Sequence, residues 1–188
     1  MIAYKGFNEN LVCTMGKGSF QYEVKKTYKE DHADCASRGF HCTEEPIEVL
    51  RWYPRKTDRY CIVRAGGDVH EDGNDRISCT ELTVLREINI ETLGALECEW
   101  LADHPDRMES SFIKRETGYA SKNDRIVIVR GKNPQAAGEL GTTIFLLKEK
   151  KRDRTIEKIG AYRIDGKEYL PGQYYTVTGR RSKCEKKS

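Results

Sequence analysis

Long apolar runs, export features and common catalytic motifs are all missing from this sequence. The longest apolar run, residues 144–147, has the length of a strand and falls far short of the roughly 20 residues that span a bilayer. The residues from Met1 onward lack the basic and then apolar order of a secretory signal peptide. We therefore expect a protein without membrane association that stays in the cytoplasm.

The common enzyme classes have no motif in this chain. It contains no Gly-x-Ser-x-Gly element, no phosphate-binding Walker loop and no His-Glu-x-x-His pair. The composition is polar, with 37% hydrophobic and 34% charged residues. Ten tyrosines, five phenylalanines and two tryptophans are nevertheless enough to build a core within 188 residues, so the chain is expected to fold.

Seven cysteines are many for a chain without export features, and their odd number argues against a disulfide framework. Free cysteines in such a chain are either small buried hydrophobes or metal ligands. Cys61 and Cys79 fall within strand-like segments and are predicted to be core residues. The remaining question concerns the cysteines in turn-like surroundings.

Cys13, Cys35 and Cys42, together with His41, provide the three thiolates and one imidazole of a structural zinc site. Two observations favour the alternative, in which these residues only pack. The chain has no Cys-x-x-Cys pair, and adjacent His41 and Cys42 would point to opposite faces of a strand. The sequence therefore predicts no cofactor, with structural zinc as the alternative.

Charge is distributed unevenly along the chain. Residues 1–110 contain 14 Lys and Arg against 21 Asp and Glu, a net charge of −7, whereas residues 111–188 contain 19 against 9, a net charge of +10. This difference predicts an acidic module over 1–110 and a basic module over 111–188. Either the basic face attracts polyanions, or the two halves pack together or pair head to tail between subunits.

The N-terminal part shows patterns of both strands and helices. Alternating apolar and polar residues predict a strand over 20–24, and further strands are predicted over 59–65, ending at a Gly-Gly pair, and over 76–88. One helix is predicted over 46–53, with proline in its first turn. A second is predicted to be capped by Asn89 and to end near residue 104.

The C-terminal part has the pattern of short strands separated by turns. Recurring glycines and small residues around two apolar segments suit either the coils of a short β-solenoid or an ordinary meander. Two hairpins are predicted after them, with turns at 151–154 and at Asp165-Gly166, and a closing strand over 174–178. The expected fold class is α+β: mainly antiparallel β with about two helices in the N-terminal part, and a β-rich, hairpin or short solenoid-like C-terminal part.

Two groups of charged residues are candidate partner-binding surfaces. The basic group is Lys148, Lys150, Lys151, Arg152, Arg154, Arg180 and Arg181. With nearby tyrosines it suits nucleic acid, since phosphates attract the cations and bases stack on rings. The alternative is a solvated hairpin tip and a solubilising tail.

The acidic group is Asp68, Glu71, Asp72 and Asp75. It could mimic nucleic acid toward a basic partner protein. A calcium loop is not favoured, because the third and twelfth positions of an EF-hand would fall on His70 and Cys79. A turn between two strands explains the segment equally well.

Several short pieces of the sequence resemble a domain found in uncharacterised proteins of phages and prophages. The N-terminal pieces are Tyr4-Lys-Gly-Phe7, Phe20-Gln-Tyr-Glu-Val24, Gly39-Phe-His-Cys42 and Pro46-Ile-Glu-Val-Leu50. The C-terminal pieces are Gly131-Lys-Asn133, Ile164-Asp-Gly-Lys167 and Tyr174-Tyr-Thr176. The resemblance implies a mobile-element protein in the cytoplasm of a bacterial host, and it implies no reaction.

Small phage proteins that meet bacterial immunity commonly act as stoichiometric blockers, and anti-CRISPR proteins are among them. By this analogy we expect a non-enzymatic inhibitor of a host protein or ribonucleoprotein. A nucleic-acid-binding accessory protein, acting through the basic C-terminal half, is one alternative.

An enzyme is the other alternative. The order of Tyr4–Phe7, then residues 39–43 leading into a helix, loosely resembles an ADP-ribosyltransferase. That family carries Arg or His on its first strand and a glutamate near its last strand. Here Lys5 occupies the first position, and Glu81 and Glu87 are the candidates for the carboxylate. A non-enzymatic function is therefore favoured, and the question of catalysis stays open.

Overall fold

The computed structural model describes residues 1–14, 18–35, 37–71, 76–107 and 110–182. Its contacts divide the chain into two compact units, Met1–Leu93 and Gly94–Ser188. The boundary falls inside the long helix, whereas the charge pattern placed it after residue 110. The described residues form mostly antiparallel sheet with two helices, so the chain is an α+β protein.

The described residues of the first unit form seven strands, one short helix and the start of the long helix. The strands are β1 (Ile2–Phe7), β2 (Val12–Cys13), β3 (Phe20–Gln21), β4 (Thr27–Lys29), β5 (Phe40–Thr43), β6 (Arg59–Glu71) and β7 (Arg76–Ile88). The main sheet has the order β4-β7-β5-β1-β6, and β6 also pairs with β7. Because β1, β5, β7 and β6 each pair with two others of this set, they form a closed ring of strands around a shared interior.

Alternation along β1 determines what this ring encloses. Ala3 and Phe7 are fully buried, and Lys5 lies on the same face of the strand between them. The packed interior also contains Cys61 and Cys79, which confirms the prediction that these two cysteines are core residues. Burial raises the pKa of Cys61 to about 12, so this thiol stays protonated at neutral pH.

The short helix is a 3₁₀ helix over Pro46–Arg51. It begins at the predicted proline but ends two residues before the predicted end, and Tyr53 lies beyond it. The long helix, α1 (Ile90–Asp103), begins as predicted, since the Asn89 Oδ1 accepts a hydrogen bond of 2.8 Å from the Thr92 amide. It was predicted to belong to the N-terminal part, whereas the boundary between the two units lies inside it.

Two strand predictions in this unit are corrected. The strand predicted over 20–24 is reduced to β3 (Phe20–Gln21). The strand predicted to stop at its Gly-Gly pair runs on to Glu71 as β6. Gly67 adopts φ +67°, a left-handed conformation that glycine tolerates, and the pairing with β7 resumes after a shift at Val69. The glycines therefore make a bulge and do not end the strand.

The second unit consists of the rest of α1 and a five-stranded sheet. The strands are β8 (Ile113–Ala120), β9 (Ile126–Gly138), β10 (Thr143–Glu149), β11 (Ile156–Arg163) and β12 (Tyr175–Thr176). Helix α1 lies close to this sheet, because a Cβ added at Gly94 would come within 2.6 Å of the Phe145 ring. Among the described residues, no helix has the length and hydropathy needed to cross a membrane.

The strand pairing in this sheet decides between the two architectures predicted for the C-terminal part, a short β-solenoid and a meander. Strand β9 pairs in parallel with both β8 and β10, although connections of only 121–125 and 139–142 join the three strands. Ile126 therefore pairs with Thr143, a residue one coil later in the chain. Parallel neighbours with such short connections are solenoid-like, and a meander of antiparallel strands is wrong for this segment.

The last part of the chain contains one of the two predicted hairpins. β10 and β11 are antiparallel around 151–154, where the Lys150 amide donates to the Thr155 oxygen at 3.0 Å. The second is wrong: the Asp165 carboxylate accepts hydrogen bonds from three following amides, and the chain returns to β9 as β12. The closing strand predicted over 174–178 is reduced to Tyr175–Thr176.

Candidate ligand-binding cavity

A cavity of about 730 Å³ lies in the first unit, beside the pairing of β1 with β5. These two strands share one register pair, Tyr4 with Thr43, whereas β1 pairs with β6 along its whole length. The cavity walls come from β1, β5, the segment leading into β3, and the chain after the 3₁₀ helix. Its described lining is rich in aromatic rings and cations, with Glu30 as its one carboxylate.

A close approach between β1 and Tyr53 shapes one wall. A Cβ added at Gly6 would come within 2.6 Å of the Tyr53 ring, so glycine at this position lets the ring lie directly against the strand. The Tyr53 hydroxyl donates to the Cys13 Sγ at 3.4 Å and accepts from the Thr14 amide at 3.3 Å. Burial, followed by the interaction with Cys13, raises the pKa of Tyr53, which therefore remains a hydrogen-bond donor.

Lys5 is the most deeply buried cation of the lining, at 5% exposure. Its Nζ donates to the backbone oxygen of His41 at 2.5 Å and lies 4.0 Å from the Cys13 Sγ. The ammonium also lies 5.6 Å from the centre of the Phe7 ring and 5.4 Å from that of Tyr22. Both rings lie within the distance at which aromatic faces attract a cation.

The electrostatics of Lys5 are unusual because its described partners carry no full negative charge. Within the described part of the chain, no carboxylate lies within ion-pair distance of its Nζ. Buried charges in proteins are ordinarily paired, because leaving water without a partner is costly. Lys5 is thus a buried cation that lines a cavity and has no counter-charge among the described residues.

Two further thiols lie near Lys5 on the inner face of the strands. Cys42 and Cys79 interact through a hydrogen bond between their side chains, and this bond together with burial raises the pKa of Cys42 well above its usual range. The same bond, with a smaller contribution from the Lys5 charge, lowers the pKa of Cys79. Lys5 therefore acts electrostatically on its surroundings.

The other two cations of the lining are Arg38 and Arg76. Arg76 stacks on the Trp52 ring, with its guanidinium carbon 5.1 Å from the ring centre. Arg38 is exposed, and its backbone forms an isolated antiparallel β-bridge with that of Asp34. Together with Lys5, these residues give the described lining three positive side chains against the single carboxylate of Glu30.

Three of the four predicted zinc ligands, Cys13, His41 and Cys42, line this cavity. Cys35 does not: its thiol donates to the backbone oxygen of His70 at 2.9 Å. Across the described residues, no three His, Cys, Asp or Glu side chains are grouped so that they could hold a metal ion. Three of the four predicted zinc ligands therefore line one cavity, but the described residues are not arranged to coordinate one ion.

None of the predicted partner-binding residues that the structure describes is among the residues that line this cavity. Lys150, Lys151, Arg152 and Arg154 form or flank the turn between β10 and β11, while Lys148 pairs with Glu157 at 2.6 Å. Arg180 and Arg181 follow β12, and both are exposed. Asp68 and Glu71 are exposed on the end of β6, and Asp72 and Asp75 lie outside the described residues.

The two glutamates considered for an ADP-ribosyltransferase site are both engaged in ion pairs. Glu81 pairs with Lys29 at 2.8 Å, and Glu87 accepts two hydrogen bonds from Arg59, at 2.7 and 2.6 Å. Neither glutamate is among the residues that line the cavity with Lys5. The carboxylates and the lysine of that interpretation are therefore placed on different surfaces.

Sequence reasoning named Lys5 only through a resemblance and did not name Trp52, Tyr53 or Arg76 as site residues. A signal for Lys5 was present, since alternation in β1 sets it between two apolar residues that face the core. The others meet Lys5 only because segments far apart in sequence fold together.

Residues 1–96 match a protein family described as Domain of unknown function (DUF7666). The chain belongs to this family. All the residues that line the cavity fall within the matched range. No curated protein and no solved structure matches the chain. The cavity therefore lies within the part of the chain that the DUF7666 family covers.

Proposed function

We propose that this chain is a phage- or prophage-derived binding protein that inhibits a host macromolecule without catalysis, in the manner of an anti-CRISPR inhibitor. The observation that carries the proposal is the cavity beside β1 and β5, which lies within the DUF7666 residues and is called the DUF7666 cavity below. Its lining is suited to binding an anionic group of a partner. Three cations and several aromatic rings surround it, and such groups hold an anionic partner group by charge and stacking. Lys5, the most buried of these cations, would receive that group.

The distribution of charge supports a partner that contains nucleic acid or another polyanion. The unit Met1–Leu93 has 13 Lys and Arg against 16 Asp and Glu, a formal charge of −3. The unit Gly94–Ser188 has 20 against 14, a formal charge of +6. A basic unit raises the encounter rate with a ribonucleoprotein such as a CRISPR effector, while the DUF7666 cavity provides a specific contact.

An ADP-ribosyltransferase is less well supported, since transfer from a nicotinamide cofactor needs a carboxylate beside the ribose. Glu81 and Glu87 are held in ion pairs away from the cavity. A blocker needs neither residue. It needs a surface that stays bound, and binding then saturates when each partner molecule carries one copy of the chain.

The test is an inhibition titration with purified chain against DNA cleavage by purified CRISPR effectors, with a parallel incubation in nicotinamide cofactor. We expect cleavage to fall linearly and to reach its minimum near one chain per effector, with no cofactor consumed. Lys5→Met should weaken inhibition, while Lys26→Met, which changes an exposed lysine of the same unit, should not. Inhibition at far below one chain per effector, or consumption of the cofactor, would contradict the proposal.

A further inference from the structure

We infer that the DUF7666 cavity is a nucleotide-binding site, which takes a planar base together with its phosphate. This inference deepens the proposed function and rests on it for the biological setting only, since nucleotide binding is a property of the purified chain. Three features of the cavity support it: the charge of Lys5, which has no described counter-charge, the aromatic rings of the lining, and the volume.

The phosphate is assigned from Lys5. Its ammonium has three N–H donors, and its described hydrogen-bonding partners are the His41 oxygen and the more distant Cys13 thiol. A phosphate oxygen would accept a further hydrogen bond and would supply the negative charge that the surrounding described residues lack. Arg38, which is exposed on the same lining, would add a second cation to the same anion.

The base is assigned from the rings. Phe20 is 42% exposed, and the half-buried Trp52 lies on the same lining. Phe20 is the outer member of an edge-to-face cluster with Tyr22, at 4.7 Å between ring centres, so part of its ring remains open to a ligand. Aromatic rings of this kind stack on any nucleobase, because every base has a π face.

The volume suits an occupant larger than a bare anion. Small-molecule sites range from about 300 to 1,000 Å³, and a cavity of about 730 Å³ falls within that range. Inorganic phosphate would leave most of this space and all of the rings unused. A nucleotide would use the cation at one end and the rings at the other.

The experiment follows tryptophan fluorescence and heat of binding while AMP, GMP, CMP and UMP are added to the purified chain. Adenosine and inorganic phosphate are the control ligands, since adenosine lacks the phosphate and inorganic phosphate lacks the base. We expect at least one nucleotide to bind and to quench Trp52, with both half-ligands binding more than about tenfold more weakly. The quench should vanish in Trp52→Phe and persist in Trp100→Phe.

Variants test the assigned roles. Lys5→Met should weaken nucleotide binding by about tenfold or more and Arg38→Gln by a few fold, while Lys26→Met should change nothing. Because Lys5 is buried, circular dichroism first checks that Lys5→Met is folded, and the exposed Arg38 variant tests the anion contact if it is not.

The nucleotide and inhibition experiments together distinguish this inference from the proposed function. No binding of any nucleotide up to about 1 mM overturns the inference, as does equal binding of adenosine or of phosphate. Inhibition of an effector by a chain that binds no nucleotide would leave the proposed function standing. Nucleotide binding without any inhibition would leave this inference standing and remove the proposed function.

Discussion

Lys5 in the first unit and Arg130 in the second are both buried cations, but their surroundings differ. Arg130 is fully buried, and its Nε donates to the Glu149 carboxylate at 2.7 Å. Its remaining groups donate to the backbone oxygens of Pro105, Arg107 and Arg154. The Lys5 ammonium instead contacts one backbone oxygen, one more distant thiol and two aromatic rings.

The difference separates a structural charge from a candidate functional one. Arg130 has a carboxylate and three carbonyl oxygens within the chain, so it fixes the segments at 105–107 and 154 against the sheet. Arg115 completes the network with a second contact of 3.0 Å to Glu149. Arg130 thus has its counter-charge and its described hydrogen-bond partners inside the chain, whereas Lys5 lines a cavity and has a donor to offer.

The largest expected effect comes from Glu149→Gln, which leaves Arg130 buried without a counter-charge. We expect the free energy of unfolding of the second unit to fall by about 3–5 kcal/mol. Denaturant unfolding measures this, with Glu157→Gln as the control, since Glu157 belongs to an exposed ion pair. A loss below about 1 kcal/mol for Glu149→Gln would show that Arg130 is held by its carbonyl partners alone.

The same network predicts a response to acid. Burial works to raise the pKa of Glu149, but hydrogen bonds from Arg115 and Arg130 outweigh it, so the pKa of this carboxyl lies below its ordinary value of 4.5. A lowered pKa in the folded state gives stability that is present above the unfolded value and lost as pH falls through the folded value. The second unit should therefore weaken as pH falls below about 4.5.

The measurement is the midpoint of urea unfolding between pH 7 and pH 3, for the wild type and for Glu149→Gln. The variant should lose the part of the pH dependence that belongs to Glu149, so the two stabilities should converge as the pH falls. Parallel curves over the whole range would assign the acid response to other carboxyls, such as Asp165.

A smaller effect is expected from Arg115→Gln. Arg115 is 42% exposed, so water can replace much of its interaction with Glu149, while Arg130 still pairs with that carboxylate. We expect a loss of about 1 kcal/mol in the free energy of unfolding, within the range of part-exposed ion pairs. Combining it with Glu149→Gln should add almost nothing further, and full additivity in that double mutant would mean that the two residues act independently.

The contrast between the two cations was only partly predictable from sequence. Local signals were reliable: Asn89 caps α1, Arg76–Ile88 is a strand, and residues 151–154 turn a hairpin. Each of these depends on neighbours within a few residues. The bulge at Gly67 was misread as a strand end because its pairing with β7 is set by residues farther along the chain.

The partners of both cations come from distant segments. The Lys5 Nζ meets an oxygen 36 residues away, and Arg130 meets carbonyls 23 to 25 residues away. Alternation along β1 carries the signal that residue 5 faces the core, but it does not indicate what the side chain contacts there. The solenoid-like course of β8–β10 also depends on non-local pairing, so composition alone left it open beside a meander.

The smallest effect on stability is expected from Lys5→Met, which separates the two cations most clearly. Methionine keeps the apolar stem, and the loss of the ring contacts is offset by the removal of a buried charge that has no internal counter-charge. We expect the free energy of unfolding of the first unit to change by no more than about 1 kcal/mol in either direction, while ligand binding falls strongly. Thermal unfolding in the absence and presence of nucleotide measures both, since a bound ligand raises the midpoint in the wild type and should not do so in the variant. If Lys5→Met instead unfolds the first unit as severely as Glu149→Gln unfolds the second, then Lys5 is a structural charge like Arg130, and the distinction between them fails.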